Sequence, residues 1–232
     1  MGGAGRWWKW PARALVAALG VVLAMQAWYL GWIVYWRWHD PAPTAFMKLD
    51  LERSAGHRRV QQRQWVDYAR ISPELKRAVV ASEDANFTRH DGVDWTAMHQ
   101  AWEDNARRGR NARGGSTISQ QLAKNLFLSP RRSYVRKAQE LAIAFMIEAV
   151  WNKRRILEVY LNVVEWGDGV FGAEAAARHY YGLPAASLGP GESARLAAML
   201  PSPRYFDRHR DVPYLEQRAQ AILVYQPETA IP

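Results

Sequence analysis

A run of 23 residues from Ala14 to Trp36, interrupted by a single strongly polar side chain at Gln26, constrains this chain before any other feature does. At about 1.5 Å per residue it forms a helix of roughly 34 Å, long enough to cross the hydrocarbon of a bilayer. Arg6, Lys9 and Arg13 precede the run and only Arg37 follows it closely. The positive-inside bias therefore puts the N-terminus in the cytoplasm and everything beyond residue 40 outside. Trp7, Trp8 and Trp10 mark one end, and Tyr35, Trp36 and Trp38 the other, as interfacial belts. A cleaved signal peptide is the rival reading, but the run is long for its apolar core and no small-x-small cleavage site follows. A buried core helix is rarely apolar all round over such a length. The organisation predicted is a cytoplasmic segment over 1–13, a transmembrane helix over 14–36, a linker leading into the domain over 37–60, and a folded domain over 61–232.

The remainder is large enough, and with 49% apolar residues overall rich enough, to bury one good core. Four of the 31 basic residues and none of the 22 acidic ones lie in residues 1–39, which leaves 27 basic against 22 acidic, a net of +5, for the rest. Such a domain suits anionic partners, and charge alone does not choose among nucleic acid, headgroups and pyrophosphate. The absence of cysteine excludes disulfides, thiolate metal sites and thiol nucleophiles.

Asp40-Pro41-Ala42-Pro43 reads as a stiff exit from the membrane. Beyond it, strand-like alternation is scarce and helical periodicity recurs, so the domain is expected to be mainly α. Ser72 is placed to cap a helix with Pro73 in its first turn, running to Glu83. Residues 105–115 have no apolar face and are expected to form a mobile basic loop, with a further helix starting near Ser116. Helices are predicted over 134–150, with a central, enclosed position, and over 155–164. A short helix over 173–181 is terminated by Gly182 and Pro184, and a last helical stretch over 192–200 is stopped by Pro201 and Pro203.

Four clusters could carry chemistry. In the first, Glu83, Asp84, Phe87 and His90 gather where an apolar helix ends. A carboxylate held rigidly by a packed helix can act as a general base, while ordinary helix-end polarity explains the same composition. In the second, Gly114-Gly115 runs into Ser116 and Thr117 at a helix N-terminus, an end able to bind anions. Thr117, Gln121 and Lys124 then share one helical face, beside Asn125; a capped helix with a solvated side is the alternative. The glycines are not followed by Lys-Ser/Thr, so this is not a P-loop. In the third, Arg131 and Arg132 precede Arg136 and Lys137, which stand one helical turn before Glu140. An intrahelical ion pair accounts for that spacing, but these cations lead into an apolar helix. The fourth, Arg154 to Asn162 followed by Gly167 and Gly172, reads mostly as scaffold.

In this order the four segments resemble glycosyltransferase family 51, the peptidoglycan polymerases that include the N-terminal halves of class A penicillin-binding proteins. Glu83-Asp84-x-x-Phe87-x-x-His90-x-Gly92 is similar to the first family motif, and Gly115-x-x-x-x-Gln120-Gln121-x-x-Lys124-Asn125 to the second. Arg136-Lys137-x-x-Glu140 is similar to the third and Arg154-x-Ile156-Leu157-Glu158-x-Tyr160-Leu161-Asn162 to the fourth, with a weaker fifth at Ala194 to Pro203. Ser119 stands where the family usually has threonine, and keeps a hydroxyl.

The resemblance implies a lysozyme-like α-helical catalytic domain with a smaller membrane-apposed subdomain, so that 61–232 is expected to be the glycosyltransferase domain. It also implies transfer of a growing lipid-linked glycan onto the 4-hydroxyl of lipid II, with inversion and release of undecaprenyl pyrophosphate. By similarity, Glu83 and Glu140 are the expected catalytic residues, Glu83 as general base. Asp84, Phe87, His90, Ser116, Thr117, Gln121, Lys124, Asn125, Arg132, Arg136 and Lys137 are the expected substrate-binding residues. Lys124, Arg132, Arg136 and Lys137 would receive the pyrophosphate, whose charge a lysozyme-type leaving group would not have. No cofactor is required and no metal ligands are predicted, although a divalent cation, Mg or Mn, could assist pyrophosphate departure. Expected partners are lipid II, the nascent glycan strand, the membrane and other cell-wall synthesis proteins, but no nucleic acid. The expected location is the bacterial inner membrane, with the domain on the periplasmic side. The Ser-x-x-Lys and Lys-Thr-Gly strings of transpeptidase domains do not occur, so the expectation is a monofunctional polymerase.

Two other classes compete with this reading. A lysozyme-like peptidoglycan hydrolase would share the fold, but has no need of four cations near its site. A tethered nucleic-acid binder would explain the basic loop, but the tryptophans concentrate at the membrane ends and not between basic residues.

Overall fold

The computed structural model describes residues 9–41, 43–54, 62–108, 114–131 and 133–232. Helices dominate it. The first, α1 (Lys9–Tyr35), includes the one stretch among the described residues, Trp10–Tyr35, that is long and apolar enough to cross a membrane. Its 27 residues span about 40 Å, against roughly 30 Å of bilayer hydrocarbon. The surplus is used for docking. Ile33 is fully buried, Tyr29 and Trp36 pack against the core, and Phe127 meets the Tyr29 ring edge-on at 5.2 Å. Trp151 Nε1 donates to the Ile33 carbonyl at 2.7 Å, and Arg155 donates to the carbonyls of Trp36 at 3.0 Å and His39 at 2.7 Å. Those carbonyls at and just beyond the helix end have no intrahelical partner, so Arg155 acts as a side-chain cap. Gln26, the polar exception in the apolar run, exchanges two amide hydrogen bonds with Gln139, at 2.9 and 3.0 Å.

A short helix, α2 (Ala45–Ser54), follows the exit segment; Met47 sits in the core and Asp50 is buried. The next helices are α3 (Pro73–Glu83), α4 (Trp95–Arg108), α5 (Ile118–Phe127), α6 (Tyr134–Val150) and α7 (Lys153–Val163). After a small hairpin come α8 (Ala173–Tyr181), α9 (Pro190–Met199), α10 (Pro203–Arg208) and α11 (Pro213–Tyr225). The starts follow local chemistry. Ser72, Ser133 and Asn152 accept hydrogen bonds from the backbone N–H groups of Glu74, Arg136 and Arg155, at 3.1, 3.1 and 2.8 Å. Gly182, at φ +68°, ends α8 in the left-handed conformation that glycine adopts without penalty.

Three strands form a small sheet in the order β1 (Gln62–Arg63), β3 (Val170–Phe171), β2 (Glu165–Gly167). β1 runs parallel to β3 with Gln62 opposite Val170, and β2 runs antiparallel to β3. At the end of the hairpin Gly172 has φ +88°, and a Cβ there would fall 2.8 Å from the Asn162 carbonyl oxygen, so only glycine fits. Arg204 of α10 bridges the sheet to α2, pairing with Glu165 at 2.7 Å and Asp50 at 2.9 Å. The core lies between α3, α9 and α11 on one side and α5, α7 and α8 on the other.

Three sequence expectations change. Residues 105–108 belong to α4 and not to the expected basic loop, and 109–113 lie outside the described residues. α6 is not enclosed: Glu140, Ile143, Ala144 and Ile147 are buried, but Phe145 is 44% exposed, because one flank faces α1 and α5 and the other faces outward. The stretch ending near Leu200 is not the last helical one, since α10 and α11 follow. Pro203 and Pro213 stand in the first turn of these helices, where the missing N–H costs nothing, and so start helices instead of stopping them.

Candidate active site

The inward face of α3, with Leu75, Ala78 and Val79 fully buried, fixes that helix in the core and carries Glu83 to its last turn. The chain leaves the helix at Asp84, and the two adjacent carboxylates diverge. Asp84 turns inward, where Oδ2 accepts from the Ile118 N–H at 3.0 Å and Oδ1 faces His90 Nε2 at 2.8 Å. It thereby caps the start of α5, an arrangement the helix dipole favours for an anion. Thr117 and Gln120 complete a capping box at the same end, and the Thr117 hydroxyl also donates to the Gly92 carbonyl at 2.6 Å. The N-terminus of α5 therefore engages its Ile118 and Gln120 amides internally, so these two are not free N–H groups for an anion.

Glu83 points the other way, with a side chain 10% exposed. Gln121 Nε2 donates to its Oε2 at 2.8 Å, and the side-chain Oε1 of Gln121 accepts from the Tyr160 hydroxyl at 2.9 Å. Burial pushes the pKa of this phenol well above its ordinary value, with the charges of Glu83 and Asp84 adding to the effect. Tyr160 therefore stays protonated as a donor, which sets the Gln121 amide with its NH2 toward Glu83.

One turn further along α5, about 4.5 Å of rise, stands Lys124. Its ammonium has no hydrogen bond or ion pair among the described residues and lies 5.7 Å from the centre of the Phe46 ring, contributed by α2. Burial lowers its pKa; the Glu140 carboxylate opposes that, Arg136 and Lys137 reinforce it, and Glu83 opposes it. One side chain thus feels charges from both ends of the site. On α6, Glu140 is buried and holds two cations at once, Arg136 on Oε2 at 2.6 Å and Lys137 on Oε1 at 2.5 Å. Lys137 also donates to the Ser116 hydroxyl at 3.0 Å.

α5 accordingly joins a carboxylate, at Gln121, to a cationic pocket, at Lys124. Glu83, Ser116, Gln121, Lys124, Arg136, Lys137 and Glu140 come together here. Asp84, Phe87, His90, Thr117 and Asn125 form the wall behind them. Phe87 is fully buried under the Lys153 ammonium, 4.7 Å from its ring centre, and Asn125 Nδ2 donates to the Gln121 carbonyl at 2.9 Å. Arg132 lies outside the described residues. Ser119, buried, donates to Glu148, which also pairs with Lys153 at 2.7 Å, so its hydroxyl serves the packing of the wall.

Sequence reasoning missed Tyr160 and Arg218. Tyr160 reads as one more apolar contact on α7, since its partner is 39 positions away in the chain. Arg218 lies on α11, 3.6 Å from Glu83 Oε1, in a helix not anticipated. Arg218 has no local signal in the sequence, and Tyr160 stands out there only as a member of the fourth resembling segment.

A Transglycosylase family model matches residues 51–225 of the chain. The chain belongs to the transglycosylase family. Its relatives extend over nearly the whole length. The biosynthetic peptidoglycan transglycosylase of Laribacter hongkongensis (strain HLHK9) is 55% identical over 226 residues, 97% of this chain and 99% of that protein. Its counterpart of the same description in Azoarcus sp. (strain BH72) is 58% identical over 204 residues, 87% of this chain and 88% of its own. A third, from Bordetella pertussis (strain Tohama I / ATCC BAA-589 / NCTC 13251), is 55% identical over 222 residues, 93% and 92% of the two chains. Family membership makes this chain a glycosyltransferase whose helical domain is lysozyme-like. In a transglycosylase the separation of Glu83 from the cations acquires a chemical sense, because glycosyl transfer needs a base for the incoming alcohol and a site for the departing group.

Proposed function

We propose that this transglycosylase polymerises peptidoglycan, joining a growing lipid-linked glycan strand to lipid II. The observation that carries the reading is the environment of Lys124, an ammonium without a hydrogen bond or ion pair among the described residues, one helical turn from the side chain that grips Glu83 and within the field of Arg136, Lys137 and Glu140.

Glu83 takes the proton of the lipid II 4-hydroxyl as its oxygen attacks the anomeric carbon of the donor strand. The bond from that carbon to undecaprenyl pyrophosphate breaks on the opposite face, with inversion. The diphosphate leaves with the bonding electron pair, into the charge of Lys124, Arg136 and Lys137, with Arg132 as a further expected contact. Charge that accumulates on a leaving group is stabilised most by donors already oriented toward it. Glu140 supplies the orientation. Both of its oxygens are occupied by cations, and among the described residues no group of three or more His, Asp or Glu side chains gathers to hold a metal ion. A divalent ion, Mg or Mn, assisting pyrophosphate departure would bind chiefly through the diphosphate itself, and the roles given above belong to this chain's own side chains.

The same reading keeps 1–13 in the cytoplasm, 14–36 as a single membrane span, 37–60 as the linker and 61–232 as the glycosyltransferase domain. The domain then stands on the periplasmic side of the inner membrane, with its smaller subdomain against the bilayer. Docking of α1 on α6 supports it, since the helix that carries Arg136, Lys137 and Glu140 is tied directly to the anchor. Partners beyond lipid II, the glycan strand and the membrane would be other cell-wall synthesis proteins.

A stoichiometric assay tests the reading. Purified full-length protein in detergent or liposomes, given labelled lipid II, should release one undecaprenyl pyrophosphate for each glycosidic bond formed. Short soluble sugars released from intact wall, with lipid II untouched, would favour the hydrolase instead.

A further inference from the structure

The two oxygens of Glu83 meet different partners, and only one of the two belongs to the segments that resemble family motifs. Gln121 takes Oε2 at 2.8 Å. At the other oxygen, α11 brings the Arg218 guanidinium to 3.6 Å from Oε1, while the same nitrogen donates to the Ser82 hydroxyl at 3.0 Å. Ser82 in turn lies 3.4 Å from Oε1 and 3.5 Å from the Ala197 carbonyl of α9. Arg218 Nε is buried and has no hydrogen-bond partner among the described residues. An arginine left with an unsatisfied buried donor pays for its position, and nothing in the packing of α11 requires a cation there. The neighbouring α11 core contacts are apolar, from Leu215, Ala219 and Ile222.

We propose that Arg218 is a positioning residue for Glu83, fixing the carboxylate through Oε1 and Ser82 so that its plane faces the acceptor hydroxyl. This rests on the polymerase reading above. The restraint matters because Glu83 is the last residue of its helix, and without Arg218 its Oε1 keeps only the long 3.4 Å contact of the Ser82 hydroxyl. A guanidinium beside that oxygen restrains it through a charged contact that also engages Ser82. The contact also makes α11 part of the active-site wall, since it reaches past α9 to the end of α3.

The experiment compares Arg218→Gln and Arg218→Lys with the full-length wild type, measuring kcat and KM for lipid II together with the thermal midpoint. Positioning predicts that Arg218→Gln lowers kcat on the order of 10- to 100-fold, with KM and midpoint near wild type, and that Arg218→Lys recovers a substantial part. Unchanged kcat in Arg218→Gln overturns the inference, as does a loss in midpoint that accounts for the loss in activity in both variants. Wild type that makes no polymer overturns the polymerase reading and this inference with it, whereas active wild type with an active Arg218→Gln overturns the inference alone.

Discussion

Gln121 and Glu83 meet through one 2.8 Å hydrogen bond, and the Gln121 side chain is itself set by the buried Tyr160 hydroxyl 2.9 Å behind it. A donor locked behind a donor is how a carboxylate at a helix end is held steady without being neutralised. Tyr160→Phe removes the outer hydrogen bond and nothing else, leaving Gln121 able to flip. Its kcat for lipid II should fall several-fold to about tenfold with little change in stability, since a net hydrogen bond is worth about 0.5 to 1.5 kcal/mol. Steady-state kinetics beside a thermal melt checks it; wild-type kcat would remove Tyr160 from the site.

Lys124 provides the charge prediction. Replacing it with alanine removes a stabiliser of the departing diphosphate and should cost about 2.7 to 4 kcal/mol of transition-state energy, or roughly 10²- to 10³-fold in kcat. Its pH dependence has a definite sign. Burial lowers the pKa of Lys124 in the free enzyme, so the ammonium is lost at lower pH than in an exposed lysine. The alkaline limb of kcat/KM should therefore fall early. A bound diphosphate favours the charged form, so the corresponding limb of kcat should lie at higher pH. Coincident limbs in the two profiles would count against Lys124 as the diphosphate contact.

The amide pair between Gln26 and Gln139 can be tested without substrate. Each amide is satisfied by the other in an apolar setting, so Gln26→Leu strands its partner. The single change should destabilise by about 0.6 to 2 kcal/mol, and Gln26→Leu with Gln139→Leu should recover much of it. A double-mutant cycle by thermal melting in detergent measures the coupling; strictly additive losses would mean that α1 and α6 do not meet there.

Arg204 clamps two carboxylates, Asp50 and Glu165, that are themselves nearly buried. Burial raises the pKa of Glu165 in spite of the opposing Arg204 charge. A carboxylate whose folded pKa is raised favours the folded state below its unfolded value, and that benefit is lost as pH rises through the folded value. Removing the cation raises the folded pKa further. Arg204→Met should therefore be destabilised by about 3 kcal/mol or somewhat less near neutrality, since Arg204 itself is part-exposed, and by less under acidic conditions. Thermal melts at acidic and neutral pH check the sign; an equal deficit at both would show that the lost contact is packing and not charge.

Much of this arrangement was legible in the sequence because it is local. Ser72 with Pro73, the Arg136–Lys137–Glu140 spacing and the Gly182 stop each specify structure within one or two helical turns. What could not be read is what the fold brings from afar. The first amide of α5 looks free for an anion until Asp84, 34 residues upstream, is found on it. Pro203 looks like a stop until the helices after it pack. Arg218 and Tyr160 reach the site from segments whose own periodicity records only the core.

The most direct measurement of the central claim, that one carboxylate serves the attacking alcohol while separate cations serve the departing diphosphate, is a comparison of Glu83→Gln with wild type on labelled lipid II. Glutamine keeps the size and the hydrogen-bonding reach but cannot accept the proton, so the variant should bind lipid II with near wild-type affinity while polymer formation falls about 10²-fold or more. Polymer formed at the wild-type rate by Glu83→Gln would contradict the account.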